Sequence, residues 1–383
     1  MRASRAVAIL LSLAALEAAG CSREVRVGAI VSSTGAAAMY GERVKKGIDL
    51  AVQDVNASGG VRGRRLEVVY RDDATNPQVG LQMARELVSR EGVRILIGAV
   101  SSAVTLEIAP YCEQRRVLLI SPTASAPQLT QAGEFIFRNY PSDLLEGASM
   151  ADFARDLGLE RVGVFAVANE YGEGLMTSFS ERLQCRQRPV LRSYEFREGD
   201  TAALAPRVEE LKTLNPDGVY IIGYRHDVAD LVKRIRAAGI DAVALSSSSV
   251  TLDIAKLAGP AAENLVFPLG TSDPDPDDPV ARPFFLAYRD RYDEEADGYA
   301  AHGYDSLQLL VHAMERAGST DPERVREALL SIDHYRGANG WASFDENGDV
   351  IEYPRLLIVR DGQPVPYQHF VNARNALRPR GSR

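Results

Sequence analysis

Val25-Arg26-Val27-Gly28-Ala29-Ile30 and Leu66-Glu67-Val68-Val69-Tyr70, with the segment between them, decide the fold of this chain. The first run reads as a buried strand. Ile48, Ala51, Val52 and Val55 then fall at i, i+3, i+4 and i+7, one apolar face of a helix, and Gly59-Gly60 ends it. The second run is the next strand. Apolar strands alternating with amphipathic helices imply parallel sheets covered on both faces.

Working outward, the same grammar recurs. Asn76-Pro77 reads as N-cap and first position of a helix running to about Arg90. Arg94 to Ala99 and Val117 to Ser121 are strands flanking a helix from about Ser102. In the second half, Arg161 to Val167, Leu191 to Phe196, Gly218 to Gly223 and Asp241 to Ser246 are strands with helices between. The pattern changes after Gly270. An acidic, proline-rich loop, Asp273 to Pro279, leads into helices near Val280 to Asp293 and Tyr299 to Ala317. Asp321-Pro322 caps a third helix. Gly337 to Gly340, a turn at Asp345-Glu346-Asn347-Gly348-Asp349 and a hairpin near Arg355 to Val359 follow. The fold class is α/β, and there is no solenoid repeat or low-complexity tract.

Ahead of the first strand lies a different kind of segment. Arg2 and Arg5 precede the apolar run Ala6 to Leu16, then Ala18-Ala19-Gly20-Cys21. This reads as a signal peptide over residues 1–20, cut before Cys21, which is left carrying lipid. The apolar run is shorter than the roughly 20 residues a membrane span needs, so attachment is by acyl chains. The expected location is the periplasm or cell envelope, as a membrane-anchored lipoprotein.

Composition narrows the function. The chain has 383 residues, enough for two domains, and a formal net charge of −8. An acidic surface repels phosphate backbones, which argues against a nucleic-acid partner. Beyond Cys21 only Cys112 and Cys185 remain, too few for a disulfide scaffold; they read as buried thiols on separate helices. The five histidines, at 226, 302, 312, 334 and 369, are scattered and form no metal pair. There is no P-loop and no Gly-x-Ser-x-Gly elbow. Gly172-Glu173-Gly174 starts like a dinucleotide loop, but Thr177 replaces its third glycine. The Asp345 to Asp349 turn has glycine at its fourth position, not the sixth that a calcium loop requires. These readings leave no metal, no cofactor and no catalytic set, and suggest binding without turnover.

Several segments, in order, carry a resemblance. They are Thr34-Gly35 through Tyr40-Gly41-Glu42, Gly47-Ile48-Asp49-Leu50-Ala51-Val52, Val55 to Val61, Asp72-Asp73 and Ile97-Gly98-Ala99-Val100-Ser101-Ser102. Ile120-Ser121-Pro122-Thr123-Ala124-Ser125, Tyr171-Gly172, Gly303-Tyr304-Asp305-Ser306-Leu307 and Gly340-Trp341-Ala342-Ser343-Phe344-Asp345 complete the set. Together they resemble the type I periplasmic (solute-)binding proteins of the branched-chain amino-acid (Leu/Ile/Val) ABC transporter family. The resemblance implies two lobes, each a parallel sheet flanked by helices, joined by three hinge crossings. The resemblance implies crossings near Tyr140, Gly270 and Gly337 to Gly340, and the chain grammar shifts at those points. One lobe is then residues 25–140 with 271–336, and the other 141–269 with 341–383.

In parallel sheets ligands bind outside the carboxyl ends of strands. Ser101-Ser102 follows one strand at a helix start, where free N–H groups favour a carboxylate. Thr123, Ala124 and Ser125 follow the next. The resemblance implies that Ser102 and Ser125 meet the ligand's carboxylate and amine and that Thr123 offers its carbonyl. It also implies ligand-facing tyrosines at Tyr171 and Tyr224, and side-chain walls at Tyr40 and Tyr299. Helix capping is the plainer role for Ser102 and Ser125. The family's amino-acid binders place an acid on the ligand ammonium where this chain has Ser248, within Ser246-Ser247-Ser248-Ser249. Asp227 and Asp253 are the nearby substitutes. The implied ligand is an amino acid or a relative such as an amide or a short or aromatic carboxylate, handed by a monomer to ABC permease subunits. The competing reading is an envelope lipoprotein of the same fold acting as a protein-docking or sensory module.

Overall fold

The computed structural model describes residues 24–185, 187–269, 278–351 and 355–367. The signal peptide, Cys21, the crossing near Gly270 and His369 lie outside the described residues. Two sheets organise the rest, the first wholly parallel and the second parallel apart from two added strands.

The first sheet holds β1 (Val25–Val31), β2 (Leu66–Asp72), β3 (Ile95–Ile97), β4 (Leu118–Ser121) and β5 (Ile136–Arg138). All pairings are parallel, in the order β2-β1-β3-β4-β5. Helices α1 (Ala38–Ala57), α2 (Pro77–Ser89) and α3 (Ser102–Arg115) cover its two faces. The period-two alternation of a strand explains why both faces are apolar. Val27, Ala29, Ile97 and Ile120 join one core with Val44 and Ile48 of α1, while Ile30, Leu96 and Leu119 join another with Leu87 and Ile108. Asn76 caps α2 as its sequence suggests, accepting the N–H groups of Gln78 and Val79 ahead of Pro77.

The chain then passes into α4 (Asp143–Asp156) and the second sheet. That sheet contains β6 (Val162–Val167), β7 (Arg192–Phe196), β8 (Gly218–Ile222), β9 (Val243–Ser246) and β10 (Val266–Leu269). Its helices are α5 (Glu170–Gln184), α6 (Ala205–Thr213), α7 (Arg225–Ala237) and the short α8 (Ile254–Ala258). Next come α9 (Ala281–Tyr292), α10 (Gly298–Ala317) and α11 (Pro322–Leu330). Leu307, Leu310, Val325 and Leu329 bury α10 and α11 in the first lobe's core. A small antiparallel pair, β11 (Tyr335–Gly337) and β12 (Gly340–Ala342), follows. Finally β13 (Arg355–Arg360) and β14 (Gln363–Pro366) add antiparallel strands to the second sheet, whose order is β14-β13-β10-β9-β8-β6-β7.

Two expectations need correction. The run Gly337 to Gly340 is the tight turn of the β11–β12 pair, not a crossing. Residues 341–350 stay with the first lobe: Ala342, Phe344 and Val350 lie in its core, and Phe344 packs edge-on against Phe137 at 5.6 Å. The Ile351 N–H still bonds the Ser343 carbonyl, whereas β13 from Arg355 belongs to the second sheet. The second correction is Cys185. Cys112 is buried within α3, but Cys185 is exposed, one step past the end of α5 and beyond its last core residue, Leu183. Both are free thiols.

A tyrosine-lined candidate ligand site between the sheets

The loops at the carboxyl ends of β3 and β4 are laced together by hydroxyl groups. The Ser121 hydroxyl donates to the Ala99 carbonyl (2.7 Å) and accepts the Ala124 N–H (3.0 Å). The Thr123 hydroxyl donates to the Val100 carbonyl at 2.7 Å. Ser101, not Ser102, caps α3, its hydroxyl accepting the Val104 N–H at 3.3 Å. That leaves the Ser102 hydroxyl to accept the N–H groups of Ser125 and Ala126, both at 3.2 Å. Ser102 thus fixes the loop after β4 and retains its own O–H donor.

The second sheet offers its own strand ends. Asn169 caps α5 by accepting the Gly172 N–H, which sets Tyr171 at the helix entrance. Tyr224 follows β8, and its hydroxyl accepts from Asn169 Nδ2 at 3.3 Å. The Tyr171 and Tyr224 rings stack with centroids 6.0 Å apart. Ser248 and Ser249 follow β9. From the first lobe, the Tyr40 hydroxyl donates to the Ser249 carbonyl (3.0 Å) and the Tyr299 hydroxyl to the Ser248 carbonyl (3.1 Å). Their rings lie 4.7 Å apart. Burial holds the phenol pKa values of Tyr40, Tyr140, Tyr171, Tyr224 and Tyr299 above the ordinary range, so all five remain neutral donors.

These groups line a cavity open to solvent, with about 450 Å3 of space that includes its mouth. Tyr40, Ser101, Ser102, Thr123, Ser125, Tyr171, Tyr224, Ser248 and Tyr299 all line it, as do Ala37, Val100, Tyr140 and Ser249. Ala124 is a correction. It is not on the cavity wall but packs into the core with Ile108, Leu119 and Leu129, because the Ser121 hydroxyl holds its backbone inward. Among the described residues no cluster of His, Cys, Asp and Glu is arranged to hold a metal, and no helix is long and apolar enough to cross a membrane.

A model of the family described as "Periplasmic binding protein" matches residues 24–363. The chain belongs to that family. It is 29% identical over 357 residues to the Leu/Ile/Val-binding protein homolog 2 of Brucella abortus, covering 91% of this chain and 93% of the relative. The crystal structure of a leucine-binding protein from Thermotoga maritima superposes with a TM-score of 0.83 at 31% identity, covering 89% and 97% of the two chains. A solute-binding protein from R. palustris in complex with benzoate shares the fold, with a TM-score of 0.81 at 21% identity and coverage of 90% and 95%. The family and these relatives are binding proteins, so this chain is not an enzyme.

Acids lie beside the cavity of this periplasmic binding protein without lining it, and they are not those considered from sequence. Asp253 is paired with Arg225 at 2.6 Å, and Asp227 accepts the Gly199 N–H at 2.9 Å. Neither lines the cavity. Asp143 and Glu146, in the first turn of α4, are buried beside it. Glu146 Oε1 accepts the Ser248 N–H at 3.0 Å. Burial pushes Glu146 up to about 7, against the opposing hydrogen bonds from Ser248. Burial, then the neighbouring Glu146, raises Asp143 well above the carboxylate range. The Ser125 hydroxyl and Arg138 oppose that rise, the hydroxyl without reaching hydrogen-bond geometry.

These shifts set a pH dependence. A carboxyl whose folded pKa lies above its unfolded value stabilises the protein below the unfolded pKa. That stability is lost as pH rises through the folded value. Glu146 and Asp305, the latter also raised to about 7 by burial, place the loss between about pH 4 and pH 7. The ligand-free protein should lose on the order of 3 kcal/mol across that window from Glu146 alone. Urea midpoints at stepped pH measure it, with E146Q flattening the curve. A stability that stays level or rises would refute these shifts.

Proposed function

We propose that this binding protein captures an amino acid or a related small polar ligand and delivers it to the permease of an ABC transporter. It does so at the cell envelope, held by lipid on Cys21. One observation carries the reading: the cavity is bounded by both lobes, with Tyr40 and Tyr299 of one reaching the Ser249 and Ser248 carbonyls of the other. Those bonds exist only when the lobes approach. A ligand touching both walls therefore favours the closed state over the open one, and closure presents a different rim to a permease. The start of α3 beside Ser101 and Ser102 suits the ligand's carboxylate, since free helix N–H groups and the dipole favour an anion there. The names of the relatives point to leucine, isoleucine and valine as first candidates.

A thermal-melting screen tests it. A ligand at 100 times its Kd adds about 2.7 kcal/mol of stability, which raises the midpoint of a chain this size by roughly 4 °C. Leucine, isoleucine, valine, their amides and benzoate form the panel. At least one is expected to give that shift. If none moves the midpoint, the transport reading fails.

A further inference from the structure

A second cavity adjoins the first. It holds about 820 Å3 of space, its mouth included, which is within the range of small-molecule sites. Only Tyr140, Ser248 and Tyr299 line both cavities. The Tyr140 and Tyr299 rings stack with centroids 6.4 Å apart, and the Tyr299 hydroxyl holds the Ser248 carbonyl, so these three form a partition. The other walls come from both lobes. The first lobe contributes Ala296, Asp297 and Gly298 where α10 begins. The second contributes Val250, Thr251 and Leu252 after β9, Leu269 at the end of β10, and one face of the β13–β14 hairpin. In that hairpin Pro366 sits opposite Leu357, and the period of two puts Pro364 on the same side.

The chemistry of these walls is unlike that of the serine-rich cavity. Their side chains are mainly aliphatic, and the polar groups among them already have partners. The Ser248 carbonyl takes the Tyr299 hydroxyl, and the Thr251 hydroxyl donates to Asp253. Asp297 accepts the Ala300 N–H at 3.0 Å and faces Arg43 at 3.9 Å. No lysine or arginine lines the space. An anion there would be desolvated beside Asp297 with no cation to meet it, and a cation would find that carboxylate engaged. A peptide strand is excluded as well: β14 is the edge of its sheet, and Pro364 and Pro366 offer no N–H to a further strand. Leu252 is 53% exposed, a large apolar side chain that an occupant would cover.

We propose that this cavity is a second ligand site, separate from the one between the serine loops, and that it takes an uncharged apolar molecule of one or two rings. Such a molecule gains from burial against Val250, Leu269, Leu357 and the two prolines and leaves no polar group unpaired. It touches both lobes, so its binding favours their approach.

Methyl-resolved NMR of the whole exported chain, with no amino acid present, tests the site independently of transport. Toluene is the probe; benzoate and benzylammonium carry the same ring with a charge of either sign. Toluene is expected to move the methyl resonances of Val250, Leu252, Leu269 and Leu357 with a Kd below about 1 mM, ordinary for a fragment of its size. The Val100 methyls, which belong to the other cavity, should stay in place. Both charged rings should bind at those four residues at least about tenfold more weakly. A296F, which fills the space from the first lobe, should weaken toluene by about tenfold or more. L252D, at an exposed position that tolerates change, should weaken it about threefold and keeps the test open if A296F does not fold. The proposal is overturned if toluene leaves the four residues unmoved, if it moves Val100 instead, if either charged ring binds there as tightly, or if the folded variants bind toluene like wild type. None of these results bears on whether the protein captures an amino acid in the other cavity.

Discussion

Replacing Arg138 with methionine is expected to destabilise the protein by about 3–5 kcal/mol, the cost of breaking a buried ion pair from one side. Arg138 is 1% exposed at the end of β5. Its Nη1 donates to the carbonyls of Ser125 (3.0 Å) and Ala126 (2.8 Å). Its Nη2 donates to the Thr130 hydroxyl (2.6 Å) and to Asp349 (2.5 Å). The Arg138 backbone bonds Gly348 and Val350 on the same turn. One guanidinium therefore ties the loop after β4 to the turn at 345–349. Methionine fills much of the volume but removes the cation beside Asp349, which keeps only the Thr130 hydroxyl, and leaves the Ala126 carbonyl without its donor. Because Ser125 lines the cavity, ligand affinity should fall with stability. Lysine restores charge but not the planar fork, so R138K should recover only part of the loss. Urea unfolding measures both variants. A loss below about 1 kcal/mol for R138M would show that water replaces these bonds.

β1 to β4 and β6 to β9 begin and end within two residues of their expected limits, because alternation with helices marks even a half-exposed strand such as β7. β5 and β10 escape notice for local reasons. β5 is three residues long and ends in Arg138, whose burial depends on partners distant in sequence. β10 contains Pro268, which ordinarily argues against a strand inside a sheet. The run Gly337 to Gly340 misleads for a related reason. Glycines mark a change of chain direction, and a hairpin and an interlobe crossing both need one.

The site divides along similar lines. Serines and tyrosines just after parallel strands are legible because strand ends converge on the ligand position. Ala124 shows the limit of that rule. Neighbouring loop residues face opposite ways, and only the Ser121 hydrogen bond decides which. Asp143 and Glu146 carry no legible signal. Acids in a first helical turn are ordinarily explained by the helix dipole. Their burial follows from α4 packing against α5 just past a crossing, a contact that no local pattern encodes.

Valine at Gly47 is the second large effect. A Cβ there would sit 1.9 Å from the Ala300 carbonyl oxygen and 2.9 Å from the Tyr304 nitrogen. A Cβ at Gly303 on the facing helix would sit 2.3 Å from the Val44 carbonyl oxygen. These neighbours are backbone atoms, so no rotamer change relieves the clash; α1 and α10 must separate. G47V should cost about 3 kcal/mol or more, at the upper end of overpacking. The damage also reaches the site by a defined route. α1 carries Tyr40 and α10 carries Tyr299, whose hydroxyls hold the Ser249 and Ser248 carbonyls of the other lobe. Spreading the helices moves both donors off their acceptors, so ligand affinity should drop along with the urea midpoint. G47A poses the same question with a single methyl. If both variants unfold within about 0.5 kcal/mol of wild type, the two helices can slide past each other, and the tyrosine pair is not held by their contact.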